Sequence, residues 1–174
     1  MIRRPAFSIW AIAACAIVAA STLTSCSTLN SNDTAASVNG AELSQDDLQA
    51  MLTSDLGQSL LGAEVVDGGI DGASARSLIE AWIALTALQQ AGLTDGVDTA
   101  AIETGLAAQF DTAWNDAPQV MKDLAILNVA VGQLIQDGTI EQTAGKTAIS
   151  EAAVFVDSRY GTWDPVTGAI AVFG

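Results

Sequence analysis

Histidine does not occur among the 174 residues of this chain. Without it the chain cannot form Ser-His or Cys-His catalytic pairs, and it lacks the commonest zinc ligand. Basic residues are also scarce, because six Lys and Arg face twenty Asp and Glu for a formal charge of −14. A polyphosphate partner requires Lys and Arg to displace its counterions. The composition therefore excludes most familiar hydrolase chemistry and predicts no nucleic-acid partner.

Two glycine-containing segments resemble ligand-binding loops but lack essential residues. A calcium loop that starts at Asp67 would have acids at its positions 1 and 5 and a glycine at position 6, as such loops require. Its positions 3 and 12, which must supply oxygen ligands, are Gly69 and Leu78. Residues 145–147 match the end of a phosphate-binding loop, but Ile140 replaces its first glycine. The sequence predicts no metal, cofactor or nucleotide.

Apolar residues are concentrated near the N-terminus. Arg3 and Arg4 precede residues 6–20, which carry no charge, and small polar residues follow at 21–27. A charged start followed by a short apolar core is typical of an export signal. A permanent transmembrane helix is the alternative, but many residues of this stretch are Ala and Ser, which makes it less favoured than an export signal.

Residues 23–26, Leu-Thr-Ser-Cys, resemble the bacterial lipobox. In that motif a peptidase cuts before a cysteine that receives a diacylglyceryl group. The prediction is a signal peptide at residues 1–25 and a lipidated N-terminus at Cys26. Because Cys15 would be removed with the signal, the mature chain has no partner for a disulfide. Two acyl chains give stable anchoring, so we expect the protein on the outer face of the cytoplasmic membrane.

The exported part is strongly acidic and divides into a tether and a domain. It keeps four basic and all twenty acidic residues, a formal charge of −16. Residues 26–35 are rich in Ser, Thr and Asn and indicate a flexible tether. Residues 36–174 are long enough to bury one independent core.

Apolar periodicity predicts three longer helices at residues 74–91, 98–114 and 118–136. The last of these is apolar on nearly all sides. Such a helix is either the central helix of the core or has one side that lines a groove for an apolar peptide. In the second case the candidate peptide-binding residues are Met121, Ile126 and Val129.

The two ends of the domain carry strand and turn signals. A short strand at Val38 is followed by an Asn-Gly turn, and Ser44 has the position of a helix N-cap. Residues 153–156 and 169–173 predict a closing hairpin. We expect this hairpin to pair with the strand near Val38, forming one antiparallel sheet against which Tyr160 and Trp163 pack.

The opening motif, Val-Asn-Gly at residues 38–40 followed by Ser44 and an acidic first helical turn, resembles the start of the SurA and PrsA group of exported chaperones. Residues 156–164 resemble the tail of SurA-like lipoproteins of actinobacterial type. The resemblance implies a mainly α, SurA N-terminal-like domain whose first strand is closed by the C-terminal segment. The parvulin-type isomerase domain that this family often carries has no room here, and its histidines are absent.

The combined prediction is a membrane-anchored lipoprotein that acts as a non-enzymatic, chaperone-like binder of unfolded or extended exported polypeptides. The alternative is an adaptor or scaffold that docks one folded envelope partner. A carboxylate-based enzyme is disfavoured because no pair of acids is singled out by its spacing.

Overall fold

A computed structural model of the chain describes residues 34–61, 65–66 and 69–172, and within these residues the fold is mostly helical with small antiparallel sheets. The helices are α1 (Gln45–Thr53), α2 (Asp55–Leu61), α3 (Gly72–Gln90), α4 (Thr99–Phe110), α5 (Thr112–Asp116), α6 (Gln119–Gln136) and α7 (Gln142–Glu151). The strands are β1 (Thr34–Val38), β2 (Ala41–Ser44), β3 (Val65–Val66), β4 (Gly69–Ile70), β5 (Val154–Val156), β6 (Thr162–Asp164) and β7 (Ala169–Ala171).

The Asn-Gly turn and the Ser44 cap form as predicted. Asn39 and Gly40 both have positive φ, at 47° and 90°, which a two-residue hairpin between β1 and β2 requires. The Ser44 hydroxyl accepts the Asp47 N–H and donates to the Asp47 carboxylate, so α1 begins directly after β2. β1 already begins at Thr34, two residues before the predicted start of the domain, and Ala35 is fully buried.

The predicted pairing of the C-terminal segment with the strand at Val38 is confirmed. β5 lies antiparallel to β1 with Val38 opposite Val154, and the sheet order is β2, β1, β5. Asn39 extends the ladder because its backbone N–H donates to the Ala153 carbonyl and its side-chain oxygen accepts the Ala153 N–H. The first strand of the described chain is therefore closed by β5, from the C-terminal segment.

The predicted hairpin between residues 153–156 and 169–173 is wrong. The partner of β7 is β6, which lies in the segment expected to be a turn, and these two strands form a separate sheet. The Asp164 carboxylate accepts from the Val166 N–H and the Thr167 hydroxyl, so a tight turn forms after β6. This local turn pairs β7 with β6, the strand that precedes it in the sequence. β5 therefore pairs with β1 alone.

The predicted helix at residues 98–114 is divided into α4 and α5. Asp111 has φ of 46°, which a helix does not accommodate, and its N–H closes the last turn of α4 on the Ala107 carbonyl. The Asp111 carbonyl then accepts from Trp114 and Asn115 to begin α5. The break turns the Trp114 side chain into the core, where it is 4% exposed.

α3 is the helix around which the rest packs. It contacts β1, β7, α1, α6 and α7. Its start, predicted at residue 74, lies at Gly72, because the Asp71 carboxylate caps the helix by accepting the Ser74 N–H. This hydrogen bond holds the pKa of Asp71 below its usual value.

Candidate functional site

The three peptide-binding candidates predicted on α6 do not form an exposed surface together. Cys26 falls outside the described residues, so its lipidation stays a prediction. Met121 is 1% exposed, and Ile126 and Val129 are half-buried and pack against the core. α6 contacts α1, α3 and α4, which cover much of the apolar surface noted in its sequence. Of these three candidates, a ligand approaching α6 would therefore reach only parts of Ile126 and Val129.

A groove of about 460 Å³ lies between the segment that contains β5 and the segment that contains β6. Its lining is mostly apolar or uncharged and comes from the end of α7, from β5 and from β6. The residues are Ser150, Ala152, Val154, Phe155, Val156, Ser158, Gly161, Thr162, Trp163 and Pro165.

β5 is an edge strand, and the backbone groups of two of its three residues have no strand partner. Toward β1, the Ala153 carbonyl accepts from Asn39 and the Asp157 N–H donates to the Ala35 carbonyl. Backbone groups alternate in direction along an antiparallel strand, so those of Val154 and Val156 point away from β1. No described residue supplies a hydrogen-bond partner for the N–H and C=O groups of these two valines.

β6 presents a similar free backbone position at Trp163. Opposite it on β7, the Ile170 N–H donates to the Glu80 carboxylate rather than across the hairpin. Trp163 and Ile170 are therefore a non-hydrogen-bonded pair, and the backbone groups of Trp163 point away from β7. Within the described part of the chain these groups also lack a partner.

Two aromatic side chains line the groove. Phe155 is 54% exposed, a large fraction for an aromatic residue at the centre of a strand. Trp163 is half-buried, and its indole Nε1 is buried without a hydrogen-bond partner among the described residues. The groove thus combines unpaired backbone groups with an apolar, aromatic surface.

None of the residues that line the groove carries an ionisable side chain. Asp164 follows Trp163 in the sequence, and Asp157 and Arg159 flank Ser158. The Val166 N–H and the Thr167 hydroxyl hold the pKa of Asp164 below its usual value, so this group is ionised at neutral pH. The Arg159 guanidinium binds the Asp157 carboxylate with distances of 3.0 and 3.1 Å, which balances one acid with one base.

A second groove, of about 450 Å³, lies between α7 and the turn after α3. Its lining includes the apolar residues Leu93 and Ala148 and the acidic residues Glu141 and Glu151. Because its lining comes from α7 and a turn, it has no strand edge with unpaired backbone groups. We therefore take the groove along β5 as the candidate site.

The described residues contain no cluster of three or more potential metal ligands. Among the helices that the structure describes, none is long and apolar enough to cross a membrane.

Comparison of the chain with protein-family models, with curated proteins and with solved structures finds no match.

Sequence reasoning missed Phe155 and Trp163 as surface residues. It placed Trp163 in the closing sheet and gave no role to Phe155. The available signal was the run Val-Phe-Val at residues 154–156, since alternation puts the aromatic ring on the opposite face from the two valines. If the valines face the core, Phe155 must face solvent.

Proposed function

We propose that the protein binds extended segments of other polypeptides by adding them as a strand along β5. The observation that carries this proposal is the set of unpaired backbone groups at Val154 and Val156. Donors and acceptors that alternate at strand spacing are complementary to the backbone of another extended chain. The aromatic surface of Phe155 and Trp163 would receive apolar side chains of that chain.

Recognition of this kind suits a chaperone-like binder. Backbone hydrogen bonds are common to all sequences, so the strand edge gives affinity while side-chain contacts add only a loose preference. No bond is made or broken, and the role proposed is non-enzymatic. The resemblance of the opening and closing motifs to SurA-like and PrsA-like chaperones supports the same function and suggests unfolded or extended exported polypeptides as clients.

The position of the protein in the cell is part of the proposal. The lipobox-like residues 23–26 support lipidation at Cys26 and retention on the outer face of the cytoplasmic membrane. In cells fed a labelled fatty acid, the wild-type chain should incorporate the label and the Cys26→Ala variant should not. Label in the Cys26→Ala chain, or none in the wild type, would refute this anchoring.

Strand addition is tested by replacing Val156 with proline in the full-length chain. Proline removes the outward N–H of Val156 and leaves the ladder between β1 and β5 intact, because that N–H does not point toward β1. Binding of a panel of unrelated extended peptides should fall at least about tenfold, the effect of losing one essential hydrogen bond and its geometry.

Val156→Ala is the matched control, because it loses similar packing but keeps the N–H. We expect Val156→Ala to bind the peptides nearly as well as the wild type, with both variants folded by circular dichroism. Equal binding by Val156→Pro and the wild type would overturn strand addition. Absence of peptide binding by the wild type, with capture of one stoichiometric folded partner, would favour the adaptor function instead.

A further inference from the structure

The hydrogen-bonding phase of β5 decides which of its side chains would lie closest to an added strand. The outward backbone groups belong to Val154 and Val156, so an antiparallel segment, the slightly more stable of the two kinds of pairing, would exchange hydrogen bonds with these two residues. Phe155 would then face the segment in a non-hydrogen-bonded pair. In such pairs the Cα atoms lie about 4.5 Å apart, so the two side chains are in close contact.

The ring of Phe155 has only a small neighbour on the next strand of its own sheet. The residue opposite it on β1 is Ser37, and the residue opposite Ser37 on β2 is Glu42. Residues that pair across antiparallel strands place their side chains on one face, so this row consists of an acid, a small hydroxyl and the aromatic ring. Ser37 is too short to cover the ring, which stays 54% exposed.

The edge of β5 lacks the features by which proteins commonly block a strand edge. Exposed edges are often protected by charged side chains, by proline or by a β-bulge. The three residues of β5 are Val, Phe and Val, and they pair with three consecutive residues of β1. An edge of this kind is complementary to another uncharged extended segment.

The lining of the groove restricts the residues on either side of the one that faces Phe155. Their side chains would lie on the same face as those of Val154 and Val156. None of the residues that line the groove carries an ionisable side chain. A short charged group of either sign would lose water there without gaining a partner, whereas an uncharged side chain avoids this cost.

We infer that the segment bound along β5 is an uncharged strand with a β-branched residue opposite Phe155. This inference rests on the proposed strand addition and specifies the class of client. Aromatic and β-branched side chains pair favourably across strands, and the stiff χ1 angle of a β-branched residue means that it loses little freedom when it packs on the ring. Segments of this class are typical of strands that become buried when a protein folds.

The first test compares Ile with its isomer Leu at the central residue of a peptide whose other residues are serines. The two side chains contain the same atoms, so a difference in affinity reports branching at Cβ. We expect the full-length protein to bind the Ile peptide about two- to threefold more tightly than the Leu peptide. Phe155→Thr should abolish this difference. Ile135→Thr is the matched control and should keep it, because Ile135 is also 54% exposed but does not line the groove.

A second series tests the two positions next to the central Ile. Replacing both serines there by Asp, or by the short cationic residue diaminopropionic acid, should weaken binding at least about fivefold for either sign of charge. Asn has the shape of Asp without its charge, and it should weaken binding by less than about twofold. The same charged replacements at the ends of the peptide should also have less than about a twofold effect, because they stay in water.

The possible failures are distinguishable. Equal binding of the Ile and Leu peptides by the wild type, or an unchanged preference in Phe155→Thr, would overturn the pairing with Phe155 and leave strand addition intact. Equal binding of the charged and Asn peptides would overturn the uncharged class of client. The comparisons on the wild-type protein remain decisive if Phe155→Thr does not fold. Failure of these peptides and of the unrelated panel to bind would refute the proposed function itself.

Discussion

The carboxylate of Glu80 on α3 accepts a hydrogen bond from the backbone N–H of Ile170 on β7, with an oxygen to nitrogen distance of 2.6 Å. This contact occupies the outward N–H of β7 and ties the C-terminal hairpin to the central helix. The Ile170 N–H is therefore occupied, whereas the backbone groups of Val154, Val156 and Trp163 have no hydrogen-bond partner among the described residues.

Glu80→Ala should destabilise the protein by about 1–3 kcal/mol, because it leaves the part-buried Ile170 N–H without an acceptor. Glu80→Gln keeps a side-chain oxygen and should cost less than half as much. Urea unfolding of the two variants measures this difference. Equal stability of Glu80→Ala and the wild type would show that water replaces the carboxylate at no cost.

Gln45 and Tyr160 form a buried contact between residues 115 positions apart in the chain. Gln45 is 0% exposed, and its Oε1 accepts a hydrogen bond from the Tyr160 hydroxyl. Tyr160→Phe should cost about 1–3 kcal/mol, because it leaves a buried acceptor unpaired. In a Gln45→Met background the same change should cost at least about 0.5 kcal/mol less. Additive effects in this double-mutant cycle would mean that the hydrogen bond does not contribute to stability.

Met121 should behave as a core residue. Met121→Ala is expected to cost about 2–5 kcal/mol, since the side chain is fully buried and its loss leaves a cavity. Ile135, on the same helix but 54% exposed, is the control, and Ile135→Ala should change stability by less than about 0.5 kcal/mol. Thermal or chemical unfolding checks both, and a small effect of Met121→Ala would return this residue to the list of surface candidates.

Gly161 has no room for a side chain. Its φ is 126°, and a Cβ atom placed on it would lie 2.3 Å from the Ala171 carbonyl oxygen. Gly161→Ala should therefore destabilise the hairpin by more than about 2 kcal/mol. Gly132 in α6 has open space around it, so Gly132→Ala should stabilise the protein by about 0.5–1 kcal/mol. Opposite signs of the two changes in unfolding free energy are the expected result.

Local signals in the sequence predicted much of the fold. The Ser44 cap follows from a short-range hydrogen bond, and α6 ends at Gln136 as predicted. Pro118, predicted in the first turn of this helix, is its N-cap instead, so α6 begins one residue later at Gln119. The break at Asp111 could not be predicted, because neither proline nor glycine marks it. It is set by burial of Trp114, which is a tertiary contact.

The candidate site was harder to predict because it depends on which strands pair. β6 is three residues of Thr, Trp and Asp inside a segment rich in turn residues, so its pattern is too short to distinguish from a loop. The open edge of β5 exists because β7 pairs with β6 instead. Whether β7 pairs with β5 or with β6 is decided by tertiary packing, which leaves no local pattern in the sequence.

Amide hydrogen exchange at β5 tests the central claim most directly. In the free full-length protein the unpaired N–H groups of Val154 and Val156 should exchange quickly, while the N–H of Phe155, which pairs with Ser37, should be protected. A saturating extended peptide should slow exchange at Val154 and Val156 by at least about tenfold and leave Phe155 little changed. If the peptide binds while the exchange of both valines stays the same, strand addition to β5 is contradicted.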